Sequence, residues 1–254
     1  MSRDSFRQAV NALAILATIV MNILANALPL NGQFTGEISD RFQVFFVPAG
    51  YVFSIWGLIY IGLLAFAVYQ ALPAKRQDAA LRRIGYLPAL SGVANVAWLF
   101  FWHYNQFGWT LVAMLLLLGS LLAIYLRAGI GRTPATGRAE RWCFRIPFSV
   151  YLGWITVATI ANVTDVLSLT SWNGWGIAPE MWAVIMLAVA VLIVLAMAVT
   201  RRDIAYALVL VWAFAGIGVA QAAVPLVASA GWAAAAVTAL LALWAYLSGR
   251  RRLA

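Results

Sequence analysis

Residues 147–169 read PFSVYLGWITVATIANVTDVLSL, an apolar run in which Asp165 is the only acidic or basic side chain. A helix rises about 1.5 Å per residue, so roughly 20 apolar residues cross the hydrocarbon core of a bilayer, which is about 30 Å thick. Similar runs lie near residues 8–30, 50–72, 84–104, 107–126, 180–199, 204–225 and 230–248. The sequence therefore predicts an all-α fold, a polytopic membrane helix bundle with about eight transmembrane helices.

The composition of the chain excludes a soluble domain of this length. Hydrophobic residues make up 65% of the 254 residues and charged residues 10%, whereas a soluble domain has about 25% charged residues. Cys143 is the single cysteine, so an intrachain disulfide and a cysteine-based metal cluster are both excluded. We therefore expect membrane lipid to surround most of the chain.

The basic residues lie almost entirely in alternate connections between the runs. They are Arg3, Arg7, Lys75, Arg76, Arg82, Arg83, Arg127, Arg132, Arg138, Arg141, Arg145, Arg201, Arg202, Arg250, Arg251 and Arg252. The other connections contain Arg41 together with Glu37, Asp40 and Glu180. This asymmetry follows the positive-inside rule and predicts a plasma (inner) membrane protein with both termini in the cytoplasm. Membrane topology then accounts for the net charge of +9, and we expect no nucleic-acid partner.

The first run has an alternative interpretation as a secretory signal. Arg3 and Arg7 precede it, and Ala25-Asn26-Ala27 resembles a small-residue cleavage site. Signal cores have about 7 to 15 apolar residues, whereas this run has about 20. We therefore expect a retained helix.

Residues 31–49, NGQFTGEISDRFQVFFVPA, form a long predicted connection on the external side. The segment combines acidic residues with Phe34, Phe42, Phe45 and Phe46, an unusually apolar makeup for a loop in solvent. We expect it to fold back over the helix ends, and it is called the lid below.

Polar and aromatic side chains form stripes on four of the predicted helices. Positions 3, 4, 7 and 11 apart share a face, because each residue turns an ideal helix by about 100°. The stripes are Thr18, Asn22 and Asn26 in the first run, Phe53, Trp56 and Tyr60 in the second, Ser91, Asn95, Trp98 and Trp102 in the third, and Tyr151, Trp154, Ala158, Ala161 and Asp165, flanked by Asn162, in the fifth. Unpaired amides are costly in hydrocarbon, so these amides are expected to face one another, the backbone or a cavity.

The depth of the stripes predicts a binding pocket. Odd-numbered runs are predicted to cross outward and even-numbered runs inward. Seven polar or aromatic residues then lie at mid-membrane or in the external half: Asn22, Asn26, Trp56, Tyr60, Asn95, Trp98 and Asn162. Trp154 lies deeper, closer to the cytoplasmic side. Converging amides and indoles beneath the lid would form a pocket for a flat, largely apolar ligand. The alternative is that each amide only joins helices, at roughly 0.6 to 2 kcal/mol per hydrogen bond, while the indoles fill space. The meeting of four stripes at similar depth favours the pocket.

Three segments carry a family resemblance. They are Pro48 and Phe53 followed by Trp56 and Tyr60, then Asn95-Val96-Ala97-Trp98, then Pro147, Tyr151, Trp154 and Asn162. In this order they resemble the tryptophan-rich sensory protein family, also called the translocator or peripheral benzodiazepine receptor family. The resemblance covers residues 1 to about 170, with Ala49 and Tyr51 in place of the motif's second proline and first tryptophan.

The resemblance implies a fold, a ligand and a set of contacts. Members of the family are five-helix bundles that bind porphyrins such as protoporphyrin and haem, and they are linked to tetrapyrrole traffic and stress signalling. Residues 1–175 would then be a translocator-like five-helix core and residues 176–254 an additional three-helix membrane segment. The implied ligand contacts are Trp56, Asn95 and Trp154, with Tyr60, Trp98 and Asn162 nearby. No cofactor is required, and a porphyrin or haem would be a ligand for sensing or transport.

Two other functions are alternatives to ligand binding. A secondary transporter of a small hydrophobic molecule normally needs an ionisable group within the membrane; Asp165 is the only candidate, and we favour its interpretation as a solvated acid at the helix end. An enzyme needs clustered His, Cys, Asp or Glu. Because His103 is the only histidine, we expect no enzyme, no catalytic residue, no metal site and no haem held by two histidines. The expected partners are lipid and a small hydrophobic ligand, with a homodimer as one predicted assembly.

Overall fold

The computed structural model describes residues 2–170 and 172–250, and these residues contain no β-strand. Within this part of the chain, the long helices form a bundle and are numbered here in chain order. They are α1 (Arg3–Ala27), α2 (Ile55–Ala71), α3 (Leu87–His103), α4 (Phe107–Arg127), α5 (Ile146–Leu169), α6 (Pro179–Arg201), α7 (Ile204–Ala220) and α8 (Pro225–Arg250). Shorter helical segments lie at Thr35–Ser39, Gly50–Ser54, Pro73–Lys75, Ala79–Ile84, Arg138–Glu140, Arg141–Arg145 and Gly174–Gly176. The predicted all-α bundle is confirmed.

Six segments among the described residues are long and apolar enough to cross a bilayer. They are Arg3–Ala27, Gly50–Ala71, Phe107–Arg127, Arg138–Leu169, Pro179–Arg201 and Pro225–Ser248. Helices α3 and α7 have 17 residues each. At about 1.5 Å per residue each is about 26 Å long, shorter than the hydrocarbon core of about 30 Å. The chain is a polytopic membrane protein, and a count of eight spans stays a prediction.

Contacts near the helix ends show that α1 runs opposite to α2 and parallel to α3. Gln8, near the start of α1, donates from Nε2 to the Gln70 carbonyl at the end of α2 (2.5 Å), and Gln70 donates back to the Gln8 carbonyl (2.8 Å). Asn11 donates from Nδ2 to the Gly85 carbonyl (2.9 Å) and accepts at Oδ1 from the N–H of Ala89 at the start of α3 (3.2 Å). These contacts lie at the arginine-rich end of the bundle, and the opposite end is called the lid end.

Proline and capping residues determine where several helices begin. A proline lies in the first turn of α3, α6 and α8, where its missing N–H would have no partner in the helix. Asp203 caps α7, because its Oδ1 accepts a hydrogen bond from the N–H of Tyr206 (3.1 Å). Arg202 at the end of α6 adopts a left-handed conformation, with φ of 52°. The chain therefore reverses between α6 and α7 within two residues.

A buried carboxylate joins three helices at the arginine-rich end. Asp203 is 8% exposed, and its Oδ2 accepts hydrogen bonds from the hydroxyls of Tyr125 in α4 (2.8 Å) and Ser149 in α5 (2.6 Å). A buried acid needs such partners, because its desolvation is otherwise uncompensated. These bonds cross the predicted boundary near residue 176, and the division into residues 1–175 and 176–254 stays a prediction.

Candidate ligand-binding site

A cavity of about 500 Å³ lies between α1, α2, α3, α4 and α5 at the lid end of the bundle. Its wall contains all eight residues that the sequence predicted as ligand contacts: Asn22, Asn26, Trp56, Tyr60, Asn95, Trp98, Trp154 and Asn162. Thr35, Ser39 and Asp40 of the lid form part of the same wall. The stripes therefore do meet, and the role of these residues as ligand contacts stays a prediction.

A chain of side-chain hydrogen bonds crosses from α1 through α3 to α5 along the wall. Asn22 in α1 donates from Nδ2 to Oδ1 of Asn95 (2.7 Å) and to the Thr18 carbonyl (2.8 Å). Asn95 in α3 donates from its own Nδ2 to the hydroxyl of Tyr151 in α5 (2.9 Å). These amides join helices, as the alternative interpretation expected, and they also line the cavity.

A second set of polar contacts joins α3, α4 and α5. Trp98 donates from Nε1 to Oδ1 of Asn162 (3.3 Å), and Asn162 donates from Nδ2 to the hydroxyl oxygen of Thr110 in α4 (3.0 Å). Asn26, in contrast, is exposed, and among the described residues its side chain donates only to the Asn22 carbonyl within its own helix (2.8 Å). The contribution of α4 to the site was not predicted from the sequence, because Thr110 belongs to no polar stripe.

Aromatic rings form the apolar part of the wall. Trp56 stacks on Tyr60 with ring centroids 5.6 Å apart and meets Trp154 nearly edge to face at 6.2 Å. Phe53 packs edge-on against Trp154 at 5.6 Å, and Trp98 stacks on Trp102 at 5.1 Å. The Nε1–H of Trp154 is buried without a hydrogen-bond partner among the described residues. A flat apolar molecule would find ring faces and edges on several sides of the cavity.

The lid is attached to the end of α3. Asn31 and Gln33 donate from their amide nitrogens to the His103 carbonyl at 2.9 and 3.1 Å. Trp102 donates from Nε1 to the Thr35 carbonyl (3.2 Å), and Phe42 stacks on the Trp102 ring at 5.5 Å. The lid therefore folds back over the helix ends, as its composition predicted.

His103 belongs to this attachment and is not part of the cavity wall. It is fully buried, with Nδ1 at 2.8 Å from the Leu99 carbonyl and Nε2 at 3.2 Å from the hydroxyl of Thr35. In the neutral ring the proton is assigned to Nδ1, because the Leu99 carbonyl beside it can only accept a hydrogen bond. Across the described residues, no group of three or more His, Cys, Asp or Glu side chains could hold a metal ion.

Helix α7 supports the segment that leads from the lid into α2, a role that the sequence did not reveal. Ala49 donates its N–H to the Gly216 carbonyl (3.1 Å), and Trp212 donates from Nε1 to the Val52 carbonyl (3.1 Å). Tyr51 meets the Trp212 ring edge to face at 5.3 Å. The only sign of this contact in the sequence is Gly216, one of the two glycines of α7, because a glycine permits a close approach.

The preferred interpretation of Asp165 as a solvated acid is wrong. Asp165 is 8% exposed and lines the cavity. Its position near the end of α5 predicts solvent, but the wall of the cavity that contains it is completed by the lid and by the end of α3. The side chain takes part in no hydrogen bond or ion pair with another described residue, and its backbone carbonyl accepts from the Ser168 hydroxyl (2.6 Å).

Comparison with known proteins agrees with the family resemblance. A family model described as TSPO-like protein matches residues 8–244 and thus includes α6, α7 and most of α8. No curated protein and no solved structure was found to match the chain. The family predicted from three short segments is confirmed, and the match continues well beyond residue 170. The chain belongs to the TSPO-like family of integral membrane proteins, the tryptophan-rich sensory or translocator family.

Proposed function

We propose that this protein binds a flat, hydrophobic ligand of the tetrapyrrole class in the cavity beneath the lid, for sensing or transport. The observation that carries the proposal is that eight polar or aromatic side chains from α1, α2, α3 and α5 line one cavity of about 500 Å³. Small-molecule sites typically have volumes of about 300 to 1,000 Å³ and combine apolar walls with a few polar groups.

The chemistry of the wall supports binding without catalysis. Apart from the carboxylates of Asp40 and Asp165, its side chains are mainly indoles, amides and aliphatic groups, which pack and form hydrogen bonds but do not transfer protons near neutral pH. Among the described residues these two acids form no cluster with histidine or cysteine that would serve acid–base catalysis. The ring faces of Trp56 and Trp154 would contact the apolar body of a ligand, and the lid would separate it from water. We accordingly propose that the protein is not an enzyme.

A titration with protoporphyrin dimethyl ester tests this proposal, because the uncharged ester reports on recognition of the ring alone. The purified protein in detergent is expected to shift the visible absorbance of the porphyrin. The double variant Trp56→Ala with Trp154→Ala should weaken binding at least tenfold, since both rings line the cavity. Unchanged binding in that variant would remove the assigned site.

A matched control removes two tryptophans outside the cavity. Trp109 and Trp175 are 58% and 76% exposed and do not line the cavity. The variant Trp109→Ala with Trp175→Ala should therefore bind the ester as the unmodified protein does. An equal loss in both double variants would show that the effect is not specific to the cavity.

The second candidate function is secondary transport of a small hydrophobic molecule. The observation that favours it is the burial of Asp165 in the cavity wall, since coupling to a proton gradient normally uses an acidic group within the membrane. Uptake of the porphyrin ester into proteoliposomes should then depend on an imposed proton gradient and be abolished by Asp165→Asn. Uptake that is independent of the gradient would exclude this candidate.

A further inference from the structure

Asp165 differs from the other buried acidic residues of the described chain. Glu140 accepts a hydrogen bond from Arg145 (2.6 Å), and Asp203 accepts from two hydroxyl groups and a backbone N–H. Asp165 is as buried as these residues, but no described residue donates to its carboxylate. A buried carboxylate without a partner is unfavourable. The oxygens of Asp165 are not among the fully enclosed unpartnered atoms of the described residues, so they reach the cavity, and their partner is expected among the molecules that enter it.

The charges in the cavity wall indicate the sign of that partner. Among the described residues that line the cavity, Asp40 and Asp165 are acidic and none is Lys, Arg or His. Arg41, the only basic residue of the lid, donates from Nη1 to Oδ1 of Asn105 (2.9 Å) and lines a separate cleft with Leu169. An anionic group in the cavity would thus meet like charges, whereas a cationic group would be attracted.

Helix α5 sets the distance between the aromatic part of the cavity and this carboxylate. Trp154, Ala158, Ala161 and Asp165 share one face of the helix, and all four line the cavity. The interval from Trp154 to Asp165 corresponds to about 16 Å along the helix axis. A ligand of that length would place a flat ring system beside Trp154 and a polar group beside Asp165.

From these observations we propose that the cavity selects a flat aromatic ligand that carries a protonated nitrogen, with Asp165 as the counter-ion. The inference rests on the proposed function, because it concerns the same cavity, and it adds the charge of the ligand. The stacked rings of Trp98 and Trp102 line the same cavity and would add cation–π attraction. A tetrapyrrole with ionised carboxylates is then bound less well than the same ring with neutral or cationic side groups.

Three derivatives of one ring test the proposal: protoporphyrin with free carboxylates, its uncharged dimethyl ester, and its diamide with ethylenediamine, which carries two ammonium groups. Absorbance titrations should rank the affinities as diamide, ester, free acid, from tightest to weakest. In Asp165→Asn, the affinity for the diamide should fall at least tenfold, that for the ester should change less than threefold, and that for the free acid should rise.

The control variant Glu180→Gln removes the same formal charge outside the cavity wall. It should leave the ranking of the three porphyrins unchanged, and thermal unfolding should show that Asp165→Asn remains folded. An identical ranking and identical affinities in Asp165→Asn and the unmodified protein would overturn the proposal. A loss that is equal for all three derivatives would also overturn it, because a structural defect has no dependence on ligand charge.

Two smaller aromatic probes test the charge selection independently of whether the ligand is a tetrapyrrole. If none of the porphyrins binds, the proposed function fails, and cationic 9-aminoacridine is then compared with uncharged acridine by fluorescence. Tighter binding of 9-aminoacridine that Asp165→Asn abolishes would support the charge selection independently of ring size. Equal binding of the two acridines, or no binding of either, would overturn it.

Discussion

Asn95 illustrates how single residues both assemble the bundle and shape the cavity. Its amide accepts from Asn22 and donates to Tyr151, so that α1, α3 and α5 are joined at one point. In a bilayer these groups have no water to bind, and the pairing therefore restricts how each helix can rotate about its axis. The same restriction holds the neighbouring indoles in place around the cavity.

The first prediction concerns replacement of this amide. Asn95→Leu should lower the free energy of unfolding by about 1 to 2 kcal/mol, because Tyr151 loses a donor and Asn22 loses an acceptor in an apolar setting. Thermal unfolding in detergent measures the change. Asn26→Ala is the matched control and should cost less than about 0.5 kcal/mol, since Asn26 is exposed and bonds only within α1. Equal destabilisation by both changes would contradict the assigned network.

Helical spacing predicted on which face of its helix each polar residue lies, but not which residue it hydrogen-bonds to. The intervals between Asn22 and Asn26, and between Asn95 and Trp98, were sufficient to place these side chains on one wall. The hydrogen bond between Asn22 and Asn95 depends on how α1 and α3 are rotated and shifted relative to each other. The spacing of residues within one helix does not determine that relative position. Asp165 was misjudged for a related reason, because its burial depends on the lid and on neighbouring helices.

The lid is attached to the bundle in two ways: polar contacts hold its first part to the end of α3, and Ile38 and Phe46 are buried, with 0% and 1% of their surface exposed. Trp102 contributes both a hydrogen bond to the Thr35 carbonyl and a ring against Phe42. A connection at the end of a bundle can open locally at a lower free-energy cost than global unfolding, so loss of one attachment should raise its open population. Opening of the lid would admit a ligand to the cavity.

The second prediction separates the hydrogen bond of the lid from its ring contact. Trp102→Phe keeps an aromatic ring beside Phe42 but removes the donor to Thr35, a loss of about 1 kcal/mol. The open population should then rise about fivefold. Limited trypsin digestion measures it, because Arg41 is the only trypsin site within residues 31–49. Trp109→Phe, which alters an exposed ring on α4, should leave cleavage unchanged, and faster cleavage there would refute the assignment.

The third prediction concerns the contact between α7 and the segment that precedes α2. A Cβ at Gly216 would collide with the Val52 side chain and lie 3.1 Å from Cβ of Pro48. Gly216→Ala should therefore destabilise the protein by about 1 to 3 kcal/mol and weaken binding of the porphyrin ester, although α7 does not line the cavity. Thermal unfolding and the absorbance titration measure these effects.

The control for this contact is Gly119 in α4, where an added Cβ would meet nothing within 4 Å. Gly119→Ala should be neutral or stabilising by up to about 1 kcal/mol, because alanine has the higher helix propensity. Destabilisation by Gly119→Ala, or none by Gly216→Ala, would show that α7 does not support the segment.

Hydropathy predicted most of the helices and failed where a connection is itself apolar. The runs near residues 107–126 and 180–199 agree closely with α4 and α6. The run near 204–225 joined α7 to the turn after it, since Ala222, Ala223 and Val224 are as apolar as the helix. Helix α8 then begins at Pro225, five residues before the predicted start, because proline is favoured in a first turn.

For the whole molecule, the alternation of helix directions and the distribution of charge lead to the same arrangement. Helix α1 begins at the arginine-rich end, as the contacts of Gln8 with α2 show. Helix α8 begins at the lid end, where the backbone of Gly231 approaches that of Gly218 near the end of α7. Both ends of the chain are therefore expected on one side of the membrane. The positive-inside rule predicts that this side is the cytoplasm.

The fourth prediction tests this orientation with two introduced cysteines. In a Cys143→Ser background, Gln43→Cys places a thiol on the exposed lid, and Ala139→Cys places one in the exposed connection at the arginine-rich end. A membrane-impermeant maleimide added to intact cells should label the first variant and spare the second, because arginine-rich connections remain on the cytoplasmic side. Permeabilised cells should label both thiols, which controls for accessibility. Labelling of Ala139→Cys alone in intact cells would reverse the orientation and place the lid end of the bundle in the cytoplasm.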